Sequence, residues 1–308
     1  MPELPDITVY ADALRARVIG RRIERLSIRG AFLLRTFEPP AESCEGRMCL
    51  GVLRLGKRLI LELEEEQFLA IHLMIAGRLL WKPPGTRPRG KIDLAAIDFG
   101  EGVLLLTEAS SKKRASMHVL RGRASLEAMN ARGLDVLVCS EAEFRERLLS
   151  ESRTLKRALT SPRLFDGIGN AYSDEILHAA RLSPVTLTRS LSDEAIGGLA
   201  RACRLTLVTW TERLRVQFGL DTPGGGRFPG VGEITAFRPD FAVHGRYGKP
   251  CPVCGSPVQR IVHAENETNY CPGCQTGGRI LADRSLSRLL KDDWPRTIEE
   301  WEEELGGG

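Results

Sequence analysis

The chain has 308 residues, of which 42% are hydrophobic and 27% are charged. This composition excludes wholesale disorder and allows two domains with packed cores. The formal net charge of +4 permits a polyanionic partner without requiring one. No apolar run reaches the length of a membrane span, and the acidic start, with Glu3 and Asp6, is unlike a signal peptide. We therefore expect a cytoplasmic protein with no membrane partner, whose eight cysteines are reduced.

The first part of the chain changes from a helical to a β pattern. Residues 7–20 have apolar positions at helical spacing and end at Gly20, which suits a helix C-terminus. Residues 22–125 contain short β-like runs broken by Gly, Pro and acidic turns. We interpret residues 1–130 as a mostly β domain that begins with one helix.

Helical spacing returns from about residue 140 to residue 217, and Ser140 and Ser192 suit helix starts. The following segment 219–233, GLDTPGGGRFPGVGE, is too long for a simple connection, so it is either functional or disordered. We predict a helical domain over residues 131–245 that includes this segment.

Four of the eight cysteines form two CxxC pairs near the end of the chain. The pattern C-x2-C-x16-C-x2-C is typical of a ribbon-type zinc site, and a redox dithiol would need one pair alone. The predicted ligands are Cys251, Cys254, Cys271 and Cys274. Four thiolates close the coordination sphere, so the Zn²⁺ is expected to be structural, within a zinc finger over residues 246–275 whose middle forms a β-hairpin. The other cysteines are interpreted as small buried apolar residues. These are Cys44, Cys49, Cys139 and Cys203.

The start of the chain raises a chemical possibility. Removal of Met1, expected when a small residue follows, makes Pro2 the N-terminal residue. Its neutral secondary amine is a nucleophile that can form an imine with an aldehyde-like carbon. In isolation, a proline at this position is far more often an ordinary loop residue.

Four stretches in the same order, PELPDITVY, LGKRLILEL, GIGNAYSDEIL and the four-cysteine hairpin, resemble the formamidopyrimidine-DNA glycosylase and endonuclease VIII family. The resemblance covers residues 2–275. It implies an α+β fold with an N-terminal helix and β-sandwich, a helical helix–two-turn–helix domain, and a zinc-ribbon hairpin, with DNA between the two domains. It further implies a monomeric base-excision repair enzyme of bacterial type, associated with the nucleoid through DNA. Such an enzyme excises oxidised bases from double-stranded DNA and cleaves the abasic strand.

The resemblance also assigns roles to residues. Pro2 matches the family nucleophile that attacks the sugar, Glu3 the acid/base carboxylate, and Lys57 a lysine that contacts phosphate and assists the chemistry. Six further residues match DNA-contacting positions of the family. They are Arg89, Lys113, Arg114, Lys156, Asn170 and Asn266.

Several of these matches depart from the family pattern. Arg89 stands where the family often has a histidine, and Asn266 where it usually has an arginine. Asp6 and Thr8 replace two family glutamates. The basic cluster Lys112, Lys113 and Arg114 resembles the family's intercalation loop. It lacks the usual Phe, so the filler of the space left by the flipped base stays open between Met74 and Ile75.

Residues 276–308 extend beyond the family's usual end and are predicted to form a helical extension, with Leu286, Leu289 and Leu290 on one face. Two other functions are weighed against catalysis. One is a catalytically weak zinc-finger DNA-binding relative of the same family, and the other is a zinc-stabilised RNA-binding scaffold. The intact Pro2 and Glu3 argue against both. The preferred base, oxidised purine or pyrimidine, stays open.

Overall fold

The computed structural model describes residues 1–30, 32–130, 132–222, 224–263 and 266–281. The chain divides into two compact units. The first comprises Met1–Arg132 and Val208–Ala236, and the second comprises Gly133–Leu207 and the chain from Phe237 onward. Within the described ranges, no helix is both long and apolar enough to cross a membrane.

The first unit begins with helix α1, Leu4–Val18. It starts three residues earlier than the apolar spacing predicts, because Glu3 and Asp6 form a capping box and Pro5 suits the first helical turn. The sequence analysis predicted a helix end at Gly20, and the structure has the C-cap one residue earlier, at Ile19, with Gly20 following it in the left-handed conformation at a φ of 78°.

Eight strands follow α1 and form two four-stranded antiparallel sheets, in the orders β1-β6-β7-β5 and β2-β3-β4-β8. The strands are β1 (Arg25–Ile28), β2 (Cys49–Leu55), β3 (Arg58–Leu63), β4 (Gln67–His72), β5 (Gly77–Lys82), β6 (Asp93–Asp98), β7 (Val103–Glu108) and β8 (Ser116–Arg121). The predicted β-sandwich is therefore confirmed.

Alternating side chains place the core of this unit. Leu59 and Leu61 on β3 belong to a fully buried cluster that includes both sheets and α1. Between them, Ile60 points to the other face and packs with Leu126 of the short helix α2, Arg123–Ala128. Because side chains alternate with a period of two, a one-residue slip of β3 would move Leu59 and Leu61 out of this cluster to the face that packs against α2.

The segment 219–233 belongs to the first unit through its contacts. The Nη2 of Arg17 on α1 donates to the carbonyl oxygen of Gly226 at 2.8 Å. Phe228 packs against Tyr10 of α1, with 5.6 Å between the ring centroids. These contacts attach the Gly/Pro-rich segment to the helix that begins at Glu3.

The second unit is mainly helical. Its helices are α3 (Glu141–Leu149), α4 (Leu155–Leu159), α5 (Asn170–Ala179) and α6 (Asp193–Phe218), whose residues from Val208 onward belong to the first unit. The predicted helix start at Ser140 is confirmed, since its hydroxyl accepts from the N–H of Glu143 in a capping box.

The predicted hairpin is confirmed as the antiparallel pair β9 (Gln259–His263) and β10 (Asn266–Tyr270), followed by the short helix α7 (Pro272–Gln275). Val258 and Tyr270 are fully buried, which anchors both outer ends of the hairpin. The predicted helical extension lies, from residue 282 onward, outside the described residues.

Candidate active site, basic loop and zinc centre

The start of α1 holds the first two candidate catalytic residues in buried positions. Glu3 is the N-cap of the helix and is 2% exposed. Its backbone N–H donates to Oδ2 of Asp6 at 2.9 Å. Pro2, directly before it, is also buried. The helix start thus fixes the position of the chain's first residues, and the Asp6 that replaces a family glutamate has a structural partner here.

Two cations lie close to the N-terminal amine. Burial lowers the pKa of the Met1 amine, and the positive charges of Arg78 and Lys57 lower it further, against the opposing charges of Glu3 and Asp6. Lys57 comes from the tight turn between β2 and β3. The environment therefore favours a neutral, nucleophilic amine at this end of the chain.

Arg78, which the sequence analysis did not single out, connects this region to two other segments. Its Nε donates to the carbonyl oxygen of Ile234 at 2.8 Å. Its Nη1 donates to the carbonyl oxygens of Gly77 at 2.7 Å and Ile75 at 3.2 Å. An arginine on a β-strand carries no sequence signal for such a role, because its usual place is a solvated face.

The turn between β4 and β5, residues 73–77, carries both candidate void fillers. Met74 has a φ of 51°, and its N–H donates to Nδ1 of His72 at 3.0 Å. Burial, together with the charges of Arg58 and Lys57, lowers the pKa of His72 to about 4, so the imidazole is neutral at neutral pH and its Nδ1 can accept. Ile75 is 53% exposed at the tip of the turn.

The basic loop, residues 109–115, is held by a buried carboxylate. Glu108 is 1% exposed, and its two oxygens accept from the N–H of Arg114 at 3.0 Å, while Oε2 also accepts from Ala115 at 3.1 Å. The ammonium of Lys113 donates to the carbonyl oxygen of Glu108. The side chains of Lys112 and Arg114 are exposed.

Arg89 lies on the loop between β5 and β6, and it is exposed. Its backbone N–H, and that of Gly90, donate to Oδ2 of Asp93 at 2.9 and 2.7 Å. Asp93 therefore fixes the backbone of this loop.

In the second unit, Lys156 and Asn170 meet at the start of α5. The Nζ of Lys156 donates to the carbonyl oxygen of Asn170 at 2.7 Å and to Oδ1 of Asp174 at 2.5 Å. The Nδ2 of Asn170 donates to the carbonyl oxygen of Glu267 on β10 at 2.9 Å. The structure thus joins two predicted DNA-contacting residues to each other and to the hairpin strand whose first residue is Asn266.

Asp174 is fully buried and is the centre of this network. Its Oδ2 lies 2.7 Å from Nδ1 of His244 and accepts from the backbone N–H of Asn269 at 3.1 Å. A buried carboxylate needs this many partners to offset its lost hydration. Sequence analysis missed Asp174, because an acidic residue in a helix is usually solvated.

The four predicted zinc ligands converge. The Sγ atoms of Cys251 and Cys274 are 3.9 Å apart, and those of Cys254 and Cys271 are 3.3 Å apart. Zn–S bonds of about 2.3 Å in a tetrahedron require S–S distances of about 3.8 Å. The thiols therefore suit one structural zinc ion.

A histidine from α5 adjoins this centre. The Nε2 of His178 is 3.3 Å from Sγ of Cys251, and the imidazole is buried. Its ligand atom and those of three cysteines lie within 4.8 Å of one another. Since the four thiols complete a tetrahedral shell, His178 is placed to donate a hydrogen bond to the Cys251 thiolate from outside that shell.

The four remaining cysteines are buried, as predicted. Burial raises the pKa of Cys44 to about 12 and that of Cys49 to about 11, so both are thiols at neutral pH. Neither environment favours a reactive thiolate.

Three protein-family models match the chain in order. They describe a formamidopyrimidine-DNA glycosylase N-terminal domain at residues 1–112, a formamidopyrimidine-DNA glycosylase H2TH domain at residues 137–213, and a zinc finger found in FPG and IleRS at residues 248–277. The matches define a protein with an N-terminal β-sandwich, a helix–two-turn–helix domain and a C-terminal zinc finger.

Relatives along the whole chain agree. The protein named formamidopyrimidine-DNA glycosylase from Chloroflexus aggregans is 32% identical over 279 residues, which cover 89% of this chain and 98% of that protein. The protein of the same name from Thermus thermophilus is 33% identical over 293 residues, covering 90% and 100%. A solved structure of MutM in complex with carbocyclic 8-oxo-G containing DNA has a TM-score of 0.76 and 26% identity, covering 89% and 100%. This chain belongs to the formamidopyrimidine-DNA glycosylase family, as the sequence motifs predicted.

Proposed function

We propose that this protein is a base-excision repair DNA glycosylase with AP lyase activity, acting on double-stranded DNA. The observation that carries the proposal is the buried Pro2-Glu3 start of α1 beside the charges of Lys57 and Arg78. Burial and nearby cations lower the pKa of the Met1 amine, and Pro2 becomes the N-terminal residue at this position once Met1 is removed. A neutral amine is the group that imine chemistry requires.

The proposed reaction begins after removal of Met1. The target nucleotide is flipped out of the stack at a cost of a few kcal/mol. The Pro2 nitrogen forms a bond to C1′ of the sugar, and the bond from C1′ to the damaged base breaks, with its electron pair leaving on the base and the proton of the nitrogen passing to that base. The nitrogen lone pair then opens the sugar ring as Glu3 protonates the ring oxygen. The product is an iminium ion that joins the protein to the DNA.

The iminium ion then accepts electrons in an elimination. Loss of a proton from C2′ supplies the electron pair, and the C3′–O bond breaks with release of the 3′ phosphate. Water finally hydrolyses the imine and frees Pro2. Glu3 is proposed to move the protons of these steps, and Lys57 to neutralise charge on the adjacent phosphate.

Phosphate contacts are proposed for both units. In the first unit they come from Arg89 and the basic loop with Lys113 and Arg114. In the second unit they come from Lys156, Asn170 and Asn266, together with the backbone amides at the start of α5. The structural zinc supplies no chemistry in the reaction, and its four cysteines hold the hairpin that carries Asn266.

We propose oxidised purines, including formamidopyrimidines, as the substrates. Support comes from the relatives' name and from the MutM structure with carbocyclic 8-oxo-G containing DNA. The segment 219–233, attached to α1, is of a length that can close over a purine. In a bacterial cell such an activity acts on the chromosome. An excision panel of 8-oxoguanine, formamidopyrimidine and oxidised pyrimidine duplexes tests the preference.

The decisive experiment is covalent trapping. Borohydride reduction with abasic duplex DNA should join the protein to DNA, and peptide mapping should locate the bond at Pro2. Pro2→Gly, or blocked removal of Met1, should reduce trapping sharply. Trapping at Lys57 that survives Pro2→Gly would overturn the mechanism, and absent trapping with intact DNA binding would favour the catalytically weak relative.

A further inference from the structure

Arg78 is half-buried, and its charge acts on the N-terminal amine of the chain, yet the proposed mechanism assigns it no step. Its guanidinium donates to the carbonyl oxygens of Gly77, Ile75 and Ile234, at 2.7, 3.2 and 2.8 Å. A guanidinium is always charged and offers five donors in a rigid planar fork. It can therefore fix two separate backbone segments while keeping a positive charge at their junction.

The first segment is the turn of residues 73–77. Met74 has a left-handed φ of 51°, which a methionine adopts at an energetic cost. The turn is closed by a hydrogen bond from Gly77 N–H to Leu73 O at 2.9 Å. Gly77 is required there, since a Cβ would lie 2.2 Å from that oxygen. A conformation of this kind persists when surrounding groups hold it, and Arg78 holds the turn at Ile75 and Gly77.

The second segment is the end of the Gly/Pro-rich stretch. Ile234 is 1% exposed and belongs to the core cluster of the first unit. Its carbonyl oxygen is thus a fixed point, and the bond from Nε of Arg78 attaches the turn to the core. The exposed Ile75 side chain is thereby held at a defined distance from the stretch that contains residues 219–233.

The third relationship is electrostatic. The charged groups that act on the Met1 amine, whose place Pro2 takes once Met1 is removed, are Glu3, Asp6, Lys57 and Arg78. Arg78 and Lys57 favour its neutral form, and the two carboxylates oppose them. The same guanidinium that holds the turn therefore also affects the amine.

We propose that Arg78 is a positioning residue of the glycosylase reaction: it fixes the 73–77 turn and Ile234 beside the N-terminal nucleophile, so that the tip of the turn and the amine engage the same lesion. The inference rests on the proposed function. It assigns two separable effects to the side chain of Arg78. The planar guanidinium positions the 73–77 turn through its hydrogen bonds, and its positive charge favours the neutral form of the N-terminal amine.

Two substitutions separate these effects. Arg78→Lys keeps the charge and loses the planar fork, whereas Arg78→Met loses both. The first measurement is the fluorescence change of 2-aminopurine placed opposite a tetrahydrofuran site, which reports insertion of a side chain into the duplex and needs no chemistry. The second is the pH profile of single-turnover cleavage of abasic DNA. Arg87→Met, on an exposed loop residue, is the matched control.

Arg78→Lys should reduce the fluorescence change at least fivefold and leave the midpoint of the pH profile where it is in the wild-type protein. Arg78→Met should show the same loss and also move the midpoint upward by about half a pH unit, because loss of a nearby cation raises the pKa of an amine. Arg87→Met should change neither.

Wild-type fluorescence in Arg78→Lys would overturn the positioning role, and an unmoved midpoint in Arg78→Met would overturn the electrostatic one. Thermal unfolding of each variant checks the fold. If Arg78→Met does not fold, Arg78→Lys alone decides the positioning role. If the wild-type protein inserts a side chain at the tetrahydrofuran site but cannot be trapped on abasic DNA, the proposed function fails while the positioning role stands.

Discussion

The ammonium of Lys156 lies 2.5 Å from Oδ1 of Asp174, a carboxylate with no exposed surface. The side chain of Lys156 is itself 12% exposed, and it also holds the carbonyl oxygen of Asn170. The family resemblance predicts that this lysine contacts DNA. In the structure Asp174 balances its charge within the protein, so Lys156 helps to position Asn170 and, through the bond from Asn170 to Glu267, the hairpin.

Loss of this ion pair should be costly. Lys156→Met leaves the Asp174 carboxylate buried without its cation, and removal of one partner of a buried pair costs about 3 kcal/mol or more. We expect the free energy of unfolding to fall by that amount in urea denaturation of the whole protein. Arg157→Met, its exposed neighbour on α4, should change it little. Equal stability of the two variants would contradict a structural role for Lys156.

Glu108 should control the basic loop without contacting DNA. Glu108→Gln replaces a carboxylate that accepts from two backbone N–H groups by an amide with one acceptor oxygen, and a bond to a charged group is worth about 1.5–3 kcal/mol. We expect about tenfold weaker binding to lesion DNA, with the salt dependence unchanged because no phosphate contact is lost.

Lys112→Gln provides the contrast for Glu108. It should reduce the slope of log K against log salt by about one, as loss of a phosphate contact does. Glu101→Gln, on an exposed carboxylate, is the control for the loss of negative charge. A lowered salt slope in Glu108→Gln would show that the carboxylate acts through charge rather than through the loop.

The protein should contain about one equivalent of zinc, bound by four thiolates. Cys271→Ser should lose the metal, unfold the hairpin locally and weaken DNA binding, while the first unit stays folded. Cys139→Ser, which removes a thiol far from the CxxC pairs in sequence, should keep the zinc. The measurements are metal analysis and DNA titration. A metal-free preparation with full DNA affinity would contradict this prediction.

Asn266 should limit the second elimination. The family arginine offers charge-assisted bonds to phosphate, which are roughly twice as strong as the neutral bonds of an amide. We expect wild-type protein to leave mainly an unsaturated aldehyde at the 3′ end, and Asn266→Arg to increase the 3′ phosphate product. The measurement is a gel that resolves DNA with a 3′ unsaturated aldehyde from DNA with a 3′ phosphate. Mostly 3′ phosphate from the wild-type protein, unchanged in the variant, would refute the idea.

His72 should make stability depend on pH. Its pKa is lowered to about 4 in the folded chain against an ordinary value of about 6.5, so the unfolded chain binds more protons between these values. The free energy of unfolding should therefore fall as the pH drops from about 6.5 to 4. His72→Asn keeps an acceptor for Met74 N–H and does not titrate. Between pH 6.5 and 4, the free energy of unfolding of His72→Asn should fall by up to about 3 kcal/mol less than that of the wild-type protein. The same dependence of unfolding free energy on pH in both proteins would contradict the assignment to His72.

Short β-like runs predict the mostly β domain and two CxxC pairs predict the zinc hairpin, because each of these patterns is local in sequence. The sandwich arrangement of the strands follows from the family resemblance and not from local spacing. The apolar spacing predicts a later start for α1 than the structure has, because the helix start is fixed by the capping box of Glu3 and Asp6.

The supporting groups could not be predicted in the same way. These groups act through partners that are distant in sequence or through backbone atoms, as Arg78, Glu108 and Asp174 do. Neither kind of contact requires a recognisable pattern of residue types in the sequence. His178 approaches Cys251 from 73 positions away in the chain. Such contacts follow from tertiary packing, which brings together residues whose local sequence resembles that of ordinary solvated positions.

The burial of Pro2 and the N-cap role of Glu3 have a practical consequence for handling the protein. An affinity tag fused to the N-terminus would convert the amine of Pro2 into an amide. The residues of the tag would also have to be accommodated next to the buried start of α1. Expression should therefore use a native start codon in a host with methionine aminopeptidase, with the purification tag at the other end. Intact-mass spectrometry of each batch then measures what fraction of the molecules has the free Pro2 amine that the proposed reaction requires.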